Sequence, residues 1–332
     1  MREKKQKAKY REALMIDNIS EVLDGVKTVG IGGHVRPDGD CIGSCLALYL
    51  YLRRNYPEIQ TDIYLEEPRR VFYFLGGFDD IRTEPGEDKQ YDLFIICDVS
   101  ARARIGVAGD HFDRAAKTVC IDHHVSNPGF ADVNHIRGGI SSACEVLYGV
   151  LDKDKIDCGI AETLYTGIAH DTGVFHYSST TPETMRIAAE LMAFGFDFGR
   201  ILDDTFFKKT YLENQVIGRV LAESIMLGDG KCIVGSLRKK DMDFYQIKPV
   251  DLDGVIAQLN LTSGIEVAIF LYEFELLHYK VSLRSSGNVD VSKIAMFFGG
   301  GGHERAAGFE MNGTFYDIVN NITEQIEKQC PL

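Results

Sequence analysis

Aspartate and histidine side chains recur at the ends of apolar segments in the first half of the chain, and this pattern constrains the fold most. The segments are GHVRPDGD (residues 33–40), LFIICDVS (93–100), VCIDHHVSN (119–127) and GIAHDTGVF (167–175). Helical patterns lie between the strand-like runs, the first over residues 41–54, and strands that alternate with helices predict a parallel, doubly wound sheet. Since ligands bind beyond the carboxyl ends of strands in such sheets, the acidic and histidine side chains are expected to meet there.

These segments supply five carboxylates and three imidazoles. They are Asp38, Asp40, Asp98, Asp122, Asp171, His34, His123 and His124. Gathered without a cation, these groups would repel one another or lose hydration, whereas with two divalent metals they form a ligand set. Two metals a few ångströms apart suit phosphoryl chemistry, because they stabilise charge on the attacking and leaving oxygens. The pattern therefore predicts a two-metal phosphoesterase.

Each segment also has a simpler interpretation when it is taken alone. Asp38 is compatible with the cap of the helix that follows it. Asp98 is compatible with a strand-end turn and Asp171 with the end of a helix. His123 and His124 are adjacent in an extended segment, so their side chains are expected to point in opposite directions. We therefore expect one of these histidines to bind metal and the other to face the substrate.

Other side chains near these segments are interpreted as structural. His170 and His176 flank the fourth cluster, but an isolated histidine is more often a core residue than a ligand. Cys41 and Cys45 are four residues apart on one helix face; core packing is the favoured interpretation and a metal role is the alternative. The eight cysteines occur singly, without a C-x-x-C pair, which is typical of buried thiols in a reducing cytoplasm and not of a disulfide framework.

The overall composition limits the class of partner. A net charge of −13 argues against binding of long polynucleotides, which depends on many basic contacts, but leaves short oligonucleotides open. No run approaches the ~20 apolar residues of a membrane helix. The basic start, residues 1–14, has no apolar core after it and is expected to be a solvated leader, not a secretory signal. A cytoplasmic protein without membrane contact is expected.

The second half of the chain changes character. A helical pattern runs from about Thr181 to Val220, and strand-like runs such as KCIVGSLR, GIEVAIFLYEFE and HYKVSLRSS follow. A chain of 332 residues is long enough for two domains. We predict a metal-binding phosphoesterase domain at residues 1–195, a connecting helix or linker at 196–215 and a smaller mixed α/β domain at 216–332.

A glycine-rich segment in this second domain predicts a binding loop. Four consecutive glycines, Gly299 to Gly302, precede His303. Glycines let backbone N–H groups approach a phosphate or a base closely, and the histidine adds a donor; the alternative is a flexible turn. Arg284 and Ser285, at the end of a strand-like run, supply a fork-shaped anion binder and a hydroxyl.

Six motifs in this order resemble one known family. GHVRPDGD, ICDVS, IDHH and HDTG resemble the four motifs of the DHH phosphoesterases, and SLRSSG with GGGGHERAAGF resembles the DHH-associated C-terminal domain. The resemblance covers nearly the whole chain. Its compact two-domain form is most similar to the nanoRNase/pAp phosphatase branch. Members of that branch remove mononucleotides from very short RNA and dephosphorylate 3′-phosphoadenosine 5′-phosphate (pAp), using manganese.

The resemblance implies a role for each motif residue. The implied metal ligands are His34, Asp38, Asp40, Asp98, His123 and Asp171. His34 and Asp38 would hold one metal, and Asp40, His123 and Asp171 would hold the other. Asp98 would bridge both metals. Asp122 would support the ligands without binding metal, and His124 would contact the scissile phosphate, so that His124 and Asp98 are the implied catalytic residues. The implied substrate-binding residues are Arg284, Ser285, Gly300, Gly301, Gly302 and His303.

The resemblance also implies cofactors and partners. It implies two manganese ions per active site, with magnesium as an alternative, and short RNA oligonucleotides and mononucleotides such as pAp as ligands. A cytoplasmic homodimer is implied as the working form. The chain departs from the family pattern at Cys144, where a hydroxyl residue is expected, and this affects only local packing.

Two alternative functions remain compatible with the same motifs. One is hydrolysis of linear or cyclic dinucleotide messengers such as pApA. The other, from a different class, is a metal-dependent nucleotide-binding regulator without turnover. The complete set of ligand residues argues against the regulator, because a protein without turnover would lose nothing if a ligand residue were replaced.

Overall fold

Two six-stranded sheets organise the residues that the structure describes, which are 15–86, 89–252 and 254–330 of a computed structural model. The sheets belong to two compact units, and the chain passes from one to the other between Lys208 and Lys209. This position lies within residues 196–215, where the sequence predicts the connection between domains. The leader predicted for residues 1–14 lies outside the described residues.

The sheet of the first unit is parallel throughout, in the order β3-β2-β1-β4-β5-β6. Its strands are β1 (Thr28–Gly32), β2 (Gln60–Tyr64), β3 (Ile81–Arg82), β4 (Leu93–Cys97), β5 (Lys117–Asp122) and β6 (Val133–Ile136). The α-helices of this unit are α1 (Gly39–Asn55), α2 (Gly109–Arg114), α3 (Ala143–Val150), α4 (Cys158–Asp171), α5 (Pro182–Met192) and α6 (Phe198–Leu202). A π-helical segment, Asp203–Phe207, continues α6. The predicted doubly wound α/β fold is confirmed.

Short 3₁₀ helices connect several of these elements. They are Ile19–Val22, Arg70–Phe72, Phe78–Asp80, Arg102–Arg104 and Lys153–Lys155. Strand β4 is buried at each of its five residues, as expected for a central parallel strand that is covered on both faces. The apolar runs of the sequence therefore become the middle of the sheet.

The strand order places a topological switch point between β1 and β4. From β1 the chain continues through α1 to β2 on one side, whereas β4 is followed by β5 on the other side. Connections that leave in opposite directions open a crevice at the carboxyl ends of the two strands, and ligands bind in such crevices. The segments that end in Asp98 and His34 both follow these strands.

Close packing of α1 on α4 brings two further parts of the chain to this edge. A Cβ atom added at Gly43 of α1 would lie 2.9 Å from the carbonyl oxygen of Thr163 in α4, so only glycine permits this approach. The first turn of α1 carries Asp40, and α4 ends at Asp171. The helix pair thus delivers one carboxylate from each helix to the same region.

The second unit is a mixed sheet with helices, in the order β11-β12-β10-β9-β8-β7. Its strands are β7 (Ile225–Leu227), β8 (Cys232–Leu237), β9 (Val267–Glu275), β10 (His278–Ser285), β11 (Gly301–His303) and β12 (Ala306–Asn312). Its helices are α7 (Tyr211–Ala222), α8 (Lys239–Tyr245), α9 (Val255–Asn260), α10 (Val291–Phe297) and α11 (Phe315–Glu327), with a 3₁₀ turn at Pro249–Leu252. Strands β8 and β9 are parallel and the other pairs are antiparallel, which confirms the predicted mixed α/β domain.

The glycine-rich segment differs from the loop that the sequence predicts. Gly301–His303 forms the edge strand β11 and pairs antiparallel with β12. A Cβ atom at Gly302, whose φ is 149°, would lie 2.4 Å from the carbonyl oxygen of Ala306. Glycine is therefore required here because the two backbones of a tight hairpin approach each other, and not because the segment is irregular.

The thiols and the helix lengths complete the description. Six of the eight cysteines are buried, as the sequence predicts for small apolar side chains. Among residues 15–86, 89–252 and 254–330, no helix combines the length and the apolar composition needed to cross a membrane.

Candidate metal centre

Side chains from several elements of the first unit converge at the carboxyl edge of its parallel sheet. Asp98 comes directly after β4, and its carboxylate lies between two imidazoles. The Nε2 atom of His34 is 3.4 Å from Asp98 Oδ2, and the Nε2 atom of His123 is 3.4 Å from Asp98 Oδ1. His123 Nε2 is also 3.5 Å from Asp171 Oδ2. The structure therefore brings together residues from all four sequence segments, with the buried carboxylate of Asp98 among them.

The two histidines that face Asp98 are oriented by backbone carbonyls. His34 Nδ1 is 2.8 Å from the carbonyl oxygen of Val35, and His123 Nδ1 is 3.2 Å from that of Ile140. Because a carbonyl oxygen only accepts, Nδ1 carries the proton in each ring and donates it. In the neutral ring that keeps this proton, the lone pair of Nε2 is directed at the carboxylates, which is the arrangement that metal-binding histidines commonly have.

Asp40 reaches the centre from the first turn of α1. Its carboxylate accepts hydrogen bonds from the backbone amides of Ala143 (2.6 Å) and Cys144 (3.0 Å), at the start of α3. Asp40, His123 and Asp171 each offer a ligand atom, and these atoms lie within 4.8 Å of one another. The N-terminus of α3 therefore fixes a buried carboxylate at a position where it can share a cation with two neighbours.

Asp38 occupies the edge of the cluster. Its Oδ1 atom is 3.7 Å from His34 Nε2 and also accepts the amides of Asp40 and Cys41, each at 3.1 Å. Its side chain is 63% exposed, in contrast to the buried Asp40 and Asp98. The residue thus caps α1, as its simpler interpretation suggests, and at the same time faces the first histidine.

His124 has a different setting from His123. Its Nδ1 donates to Asp122 Oδ1 at 2.7 Å, and Asn127 donates to the other oxygen of Asp122, also at 2.7 Å. The expectation that the two histidines point in opposite directions is wrong: their ring centroids are 4.5 Å apart, and His124 Nδ1 lies 3.6 Å from Asp98 Oδ1. The strand ends at Asp122, so the alternation of an extended strand does not apply to the two residues that follow.

The charges of this centre are not balanced by its own side chains. Burial raises the pKa of Asp171 to about 6, and the pKa of Asp40 is raised by burial and by the carboxylates of Asp98 and Asp171. Although burial opposes it, the surrounding carboxylates raise the pKa of His123 to about 10. Similarly, although burial opposes it, Asp38 and Asp98 raise the pKa of His34. Both trends show that the centre favours added positive charge.

One oxygen atom shows where such charge fits. Asp98 Oδ1 is buried and accepts no hydrogen bond from any described residue, which is rare for a carboxylate oxygen. Asp98 also has a positive φ of 57°, a conformation that costs energy in a non-glycine residue and is concentrated at functional sites. A cation bound to this oxygen would satisfy it, so the residues of the cluster fit divalent metal ions.

Three further residues lie at the cluster or its loop: the sequence assigns no role to Asn127 or Glu66, and for Cys41 it leaves a metal role as the alternative to core packing. Asn127 orients Asp122, and Glu66 Oε2 accepts the amide of Arg36 (2.7 Å), which ties the loop between His34 and Asp38. The third is Cys41, whose sulfur groups with the ligand atoms of His34 and Asp98. Asn127 belongs to the DHH-like segment HHVSN, but an asparagine before a proline is also typical of an ordinary turn. No local sequence pattern indicates a role for Glu66.

The sequence predicts structural roles for His170 and His176, and the structure supports this prediction for His170. His170 Nε2 is 2.7 Å from Thr205 Oγ1, and burial lowers the pKa of His170 to about 4. A Cβ atom at Gly39 would lie 2.3 Å from the His170 ring, so this ring supports the loop before α1. His170 is therefore a packing residue, and His176 takes part in none of the candidate metal groups formed by the described residues.

The second unit places two of its predicted binding residues on one face. Arg284 of β10 and His303 of β11 both pair with Ala306 of β12, the strand that lies between them. Directly opposite residues share a face of a sheet, and two strand spacings separate them by roughly 10 Å. Ser285 is the next residue after Arg284 and is buried on the other face, where its hydroxyl accepts the amide of Gly287 at 3.4 Å. The structure therefore groups Arg284 with His303 and separates Ser285 from them.

Comparisons with known proteins agree with these observations. The model of the DHH family, N-terminal domain, matches residues 28–168, and that of the DHHA1 domain matches residues 226–330. The chain is 30% identical over 318 residues to the "bifunctional oligoribonuclease and PAP phosphatase NrnA" of Thermus thermophilus, covering 94% of this chain and 93% of that protein. It is 27% identical to the Bacillus subtilis protein of the same name, covering 91% and 95%.

A solved structure extends the likeness to the fold. An exopolyphosphatase-related protein from Bacteroides fragilis superposes with a TM-score of 0.84 at 26% identity, covering 93% of this chain and 94% of that one. The matched DHH region contains His34, Asp98 and His123, and the matched DHHA1 region contains Arg284 and His303. With its two domains, its clustered motif residues and a relative of 30% identity over nearly its full length, the chain belongs to the DHH phosphoesterase family and is a hydrolase.

Proposed function

We propose that this protein is a manganese-dependent phosphoesterase that hydrolyses very short RNA oligonucleotides to mononucleotides and dephosphorylates pAp to AMP. The observation that carries the proposal is the convergence of the four motif segments around Asp98, whose Oδ1 atom accepts no hydrogen bond from the described residues. The names of the full-length relatives from Thermus thermophilus and Bacillus subtilis support the choice of substrates. We further propose a cytoplasmic homodimer as the working form.

The residues present would hold two divalent cations. His34, Asp38 and Asp98 would bind one, and Asp40, Asp98, His123 and Asp171 the other. When bound, the cations lower the pKa of a coordinated water and stabilise negative charge on the phosphate oxygens. Oxygen donors dominate this set, which favours manganese or magnesium.

His124 would act on the phosphate directly. Because Asp122 accepts the Nδ1 proton of His124, and Asn127 holds Asp122, the ring is fixed and its Nε2 atom is free to face a ligand. In the protonated ring, Nε2–H donates a hydrogen bond to a phosphate oxygen. A donor that is already oriented before charge develops stabilises the transition state without reorganisation. Asp122 is thus a positioning residue and His124 the proposed catalytic one.

The second unit would bind the rest of the nucleotide. Arg284 and His303 share a sheet face, and an arginine fork binds phosphate oxygens in pairs. Gly301 and Gly302 place no side chain beside His303, and the amide of Gly300 donates to the carbonyl oxygen of Ala295, so a ligand would meet the Gly301–His303 edge of the hairpin. Ser285 is proposed as a support for this strand end, because its hydroxyl accepts the amide of Gly287.

A time course on matched substrates tests the proposal. The chelated and manganese-reconstituted enzyme is incubated with 5′-labelled RNA dimers to pentamers, with pAp and with the dinucleotide pApA. We expect mononucleotide release from the shortest RNAs and AMP from pAp. Preferential turnover of pApA or of its cyclic form, with little action on RNA trimers and pAp, would assign the enzyme to dinucleotide messengers instead.

A further inference from the structure

We propose that Cys41 is a thiolate ligand that lets the position formed with His34 and Asp98 bind soft or borderline divalent cations such as zinc, cadmium and cobalt. The inference rests on the metal centre of the proposed function and adds a residue to it. Cys41 would add a sulfur donor to a set that otherwise contains only oxygen and imidazole donors. A sulfur donor changes which cations the position prefers.

The geometry of three buried side chains carries the proposal. The ligand atoms of His34, Cys41 and Asp98 all lie within 4.8 Å of one another, and all three residues are buried. The Cys41 sulfur accepts the backbone amide of His34 at 3.3 Å, which holds it beside the imidazole. A Cβ atom at Gly33 would lie 2.2 Å from this sulfur, so the glycine leaves the space that the thiol occupies.

A second observation shows that this group is short of a partner. Asp98 is only 3% exposed, and its Oδ1 atom accepts no hydrogen bond from the described residues. Oδ1 faces His123 Nε2 and Oδ2 faces His34 Nε2, each at 3.4 Å. An unsatisfied buried carboxylate oxygen costs free energy, which a cation bound to this carboxylate would reduce. The unpartnered Oδ1 marks this carboxylate as a cation ligand, and a cation bound by His34 and Cys41 would meet it through Oδ2.

The same turn of α1 offers a competing oxygen donor. Asp38 Oδ1 is 3.7 Å from His34 Nε2 but already accepts two amides, and its side chain is largely exposed. A hard cation such as manganese prefers the Asp38 carboxylate, whereas a soft cation prefers the Cys41 sulfur. When Cys41 coordinates, its S–H bond breaks, the sulfur keeps the electron pair and the proton passes to solvent. The position thus accepts two classes of cation through alternative donors.

Cys45 provides a matched control. It lies one helical turn after Cys41 and is equally buried, but its thiol donates to the carbonyl oxygen of Gly32 at 3.3 Å. It takes part in none of the candidate metal groups formed by the described residues. Cys41→Ser and Cys45→Ser therefore remove the same atom from the same helix, and only the first removes a sulfur that is grouped with His34 and Asp98.

Cobalt binding reads out sulfur ligation without reference to turnover. The full-length protein is stripped with chelator and titrated with Co²⁺, and the visible bands of bound cobalt and the near-ultraviolet thiolate-to-cobalt charge-transfer band are recorded. We expect the charge-transfer band in the wild type and in Cys45→Ser, and its loss in Cys41→Ser. Cadmium affinity should fall on the order of tenfold or more in Cys41→Ser, with manganese affinity changed about twofold at most.

Each outcome decides the question. Cobalt bound by the wild type without a charge-transfer band, or a band that persists in Cys41→Ser, would overturn the thiolate and leave the metal centre intact. No bound cobalt at all would overturn both. If Cys41→Ser does not fold, cadmium NMR of the wild type replaces it: a resonance in the range of thiolate-ligated cadmium supports the proposal, and one in the oxygen and nitrogen range contradicts it.

Discussion

The metal centre of the first unit and the glycine hairpin of the second unit are held in contrasting ways. Asp98 and His34 are buried and fixed by neighbouring atoms, and Asp40 is tied to the start of α3 by two backbone amides. His303, in contrast, is exposed on an edge strand, where the glycines beside it have no side chains to support it. The first region is therefore positioned by contacts within its unit, whereas the His303 side chain lies open to solvent.

Removal of Asp98 should have the largest effect, because its carboxylate faces both groups of ligands. We expect Asp98→Ala to lose bound metal at both positions and all measurable turnover. Metal content after dialysis and hydrolysis of a labelled RNA dimer measure the two losses. Asp62→Ala, which removes another buried carboxylate of the same sheet outside the cluster, is the control for general damage to the unit. Retention of both metals in Asp98→Ala would contradict the assignment of a shared ligand.

His124→Ala should separate catalysis from metal binding within the first unit. His124 is fixed by Asp122 and is proposed to contact the phosphate and not the metals, so its loss should leave metal content unchanged. Turnover should fall by about 2–4 kcal/mol of transition-state stabilisation, as for the loss of an oriented oxyanion donor. A kcat comparison at saturating manganese, with metal content recorded in parallel, provides the measurement. Loss of metal equal to that in Asp98→Ala would show that the adjacent histidines are assigned wrongly.

Arg284→Ala tests whether the second unit acts through the nucleotide. Its guanidinium shares a sheet face with His303, and a charged hydrogen bond to phosphate contributes roughly 1.5–3 kcal/mol. We expect kcat/KM to fall for RNA dimers and pAp, while hydrolysis of bis-p-nitrophenyl phosphate changes little, since this substrate has no nucleotide to bind. An equal loss on both substrates would assign Arg284 to folding or to support of the metal centre.

Alanine at two glycines of the hairpin should give the smallest effects and the sharpest contrast. A Cβ atom at Gly302 would lie 2.4 Å from the backbone oxygen of Ala306, whereas a Cβ atom at Gly301 meets nothing within 4 Å. We expect Gly302→Ala to lower stability by about 1–3 kcal/mol and Gly301→Ala by less than about 0.5 kcal/mol. Urea midpoints measure both. Equal midpoints would show that the hairpin relaxes easily.

The sequence predicts most of the metal centre because its parts lie at the ends of strongly apolar strands. Strands β1, β4 and β5 have that signal, so the positions of His34, Asp98 and Asp122 follow from the fold class. The short strands β3 and β6 have weak local patterns and depend on pairing with longer neighbours. Strand β11 is missed for a different reason, since glycine has low strand propensity and only the hairpin partner orders it.

The contacts that hold the site are harder to foresee than its residues. The proximity of Cys41 to His34 and Asp98 depends on the space above Gly33, which no local pattern encodes. The positions of the His123 and His124 rings depend on β5 ending at Asp122. If the strand continued through both histidines, their side chains would point in opposite directions, as the sequence predicts. Side-chain neighbours of this kind come from tertiary packing.

We propose that the cluster around Asp98 holds two divalent cations on which hydrolysis depends. The direct measurement is a manganese titration of the exhaustively chelated enzyme, with bound manganese and hydrolysis of an RNA dimer followed in the same samples. We expect no hydrolysis without metal and recovery that is complete at about two manganese ions per chain. Full hydrolysis after chelation, or recovery with no manganese bound, would contradict it.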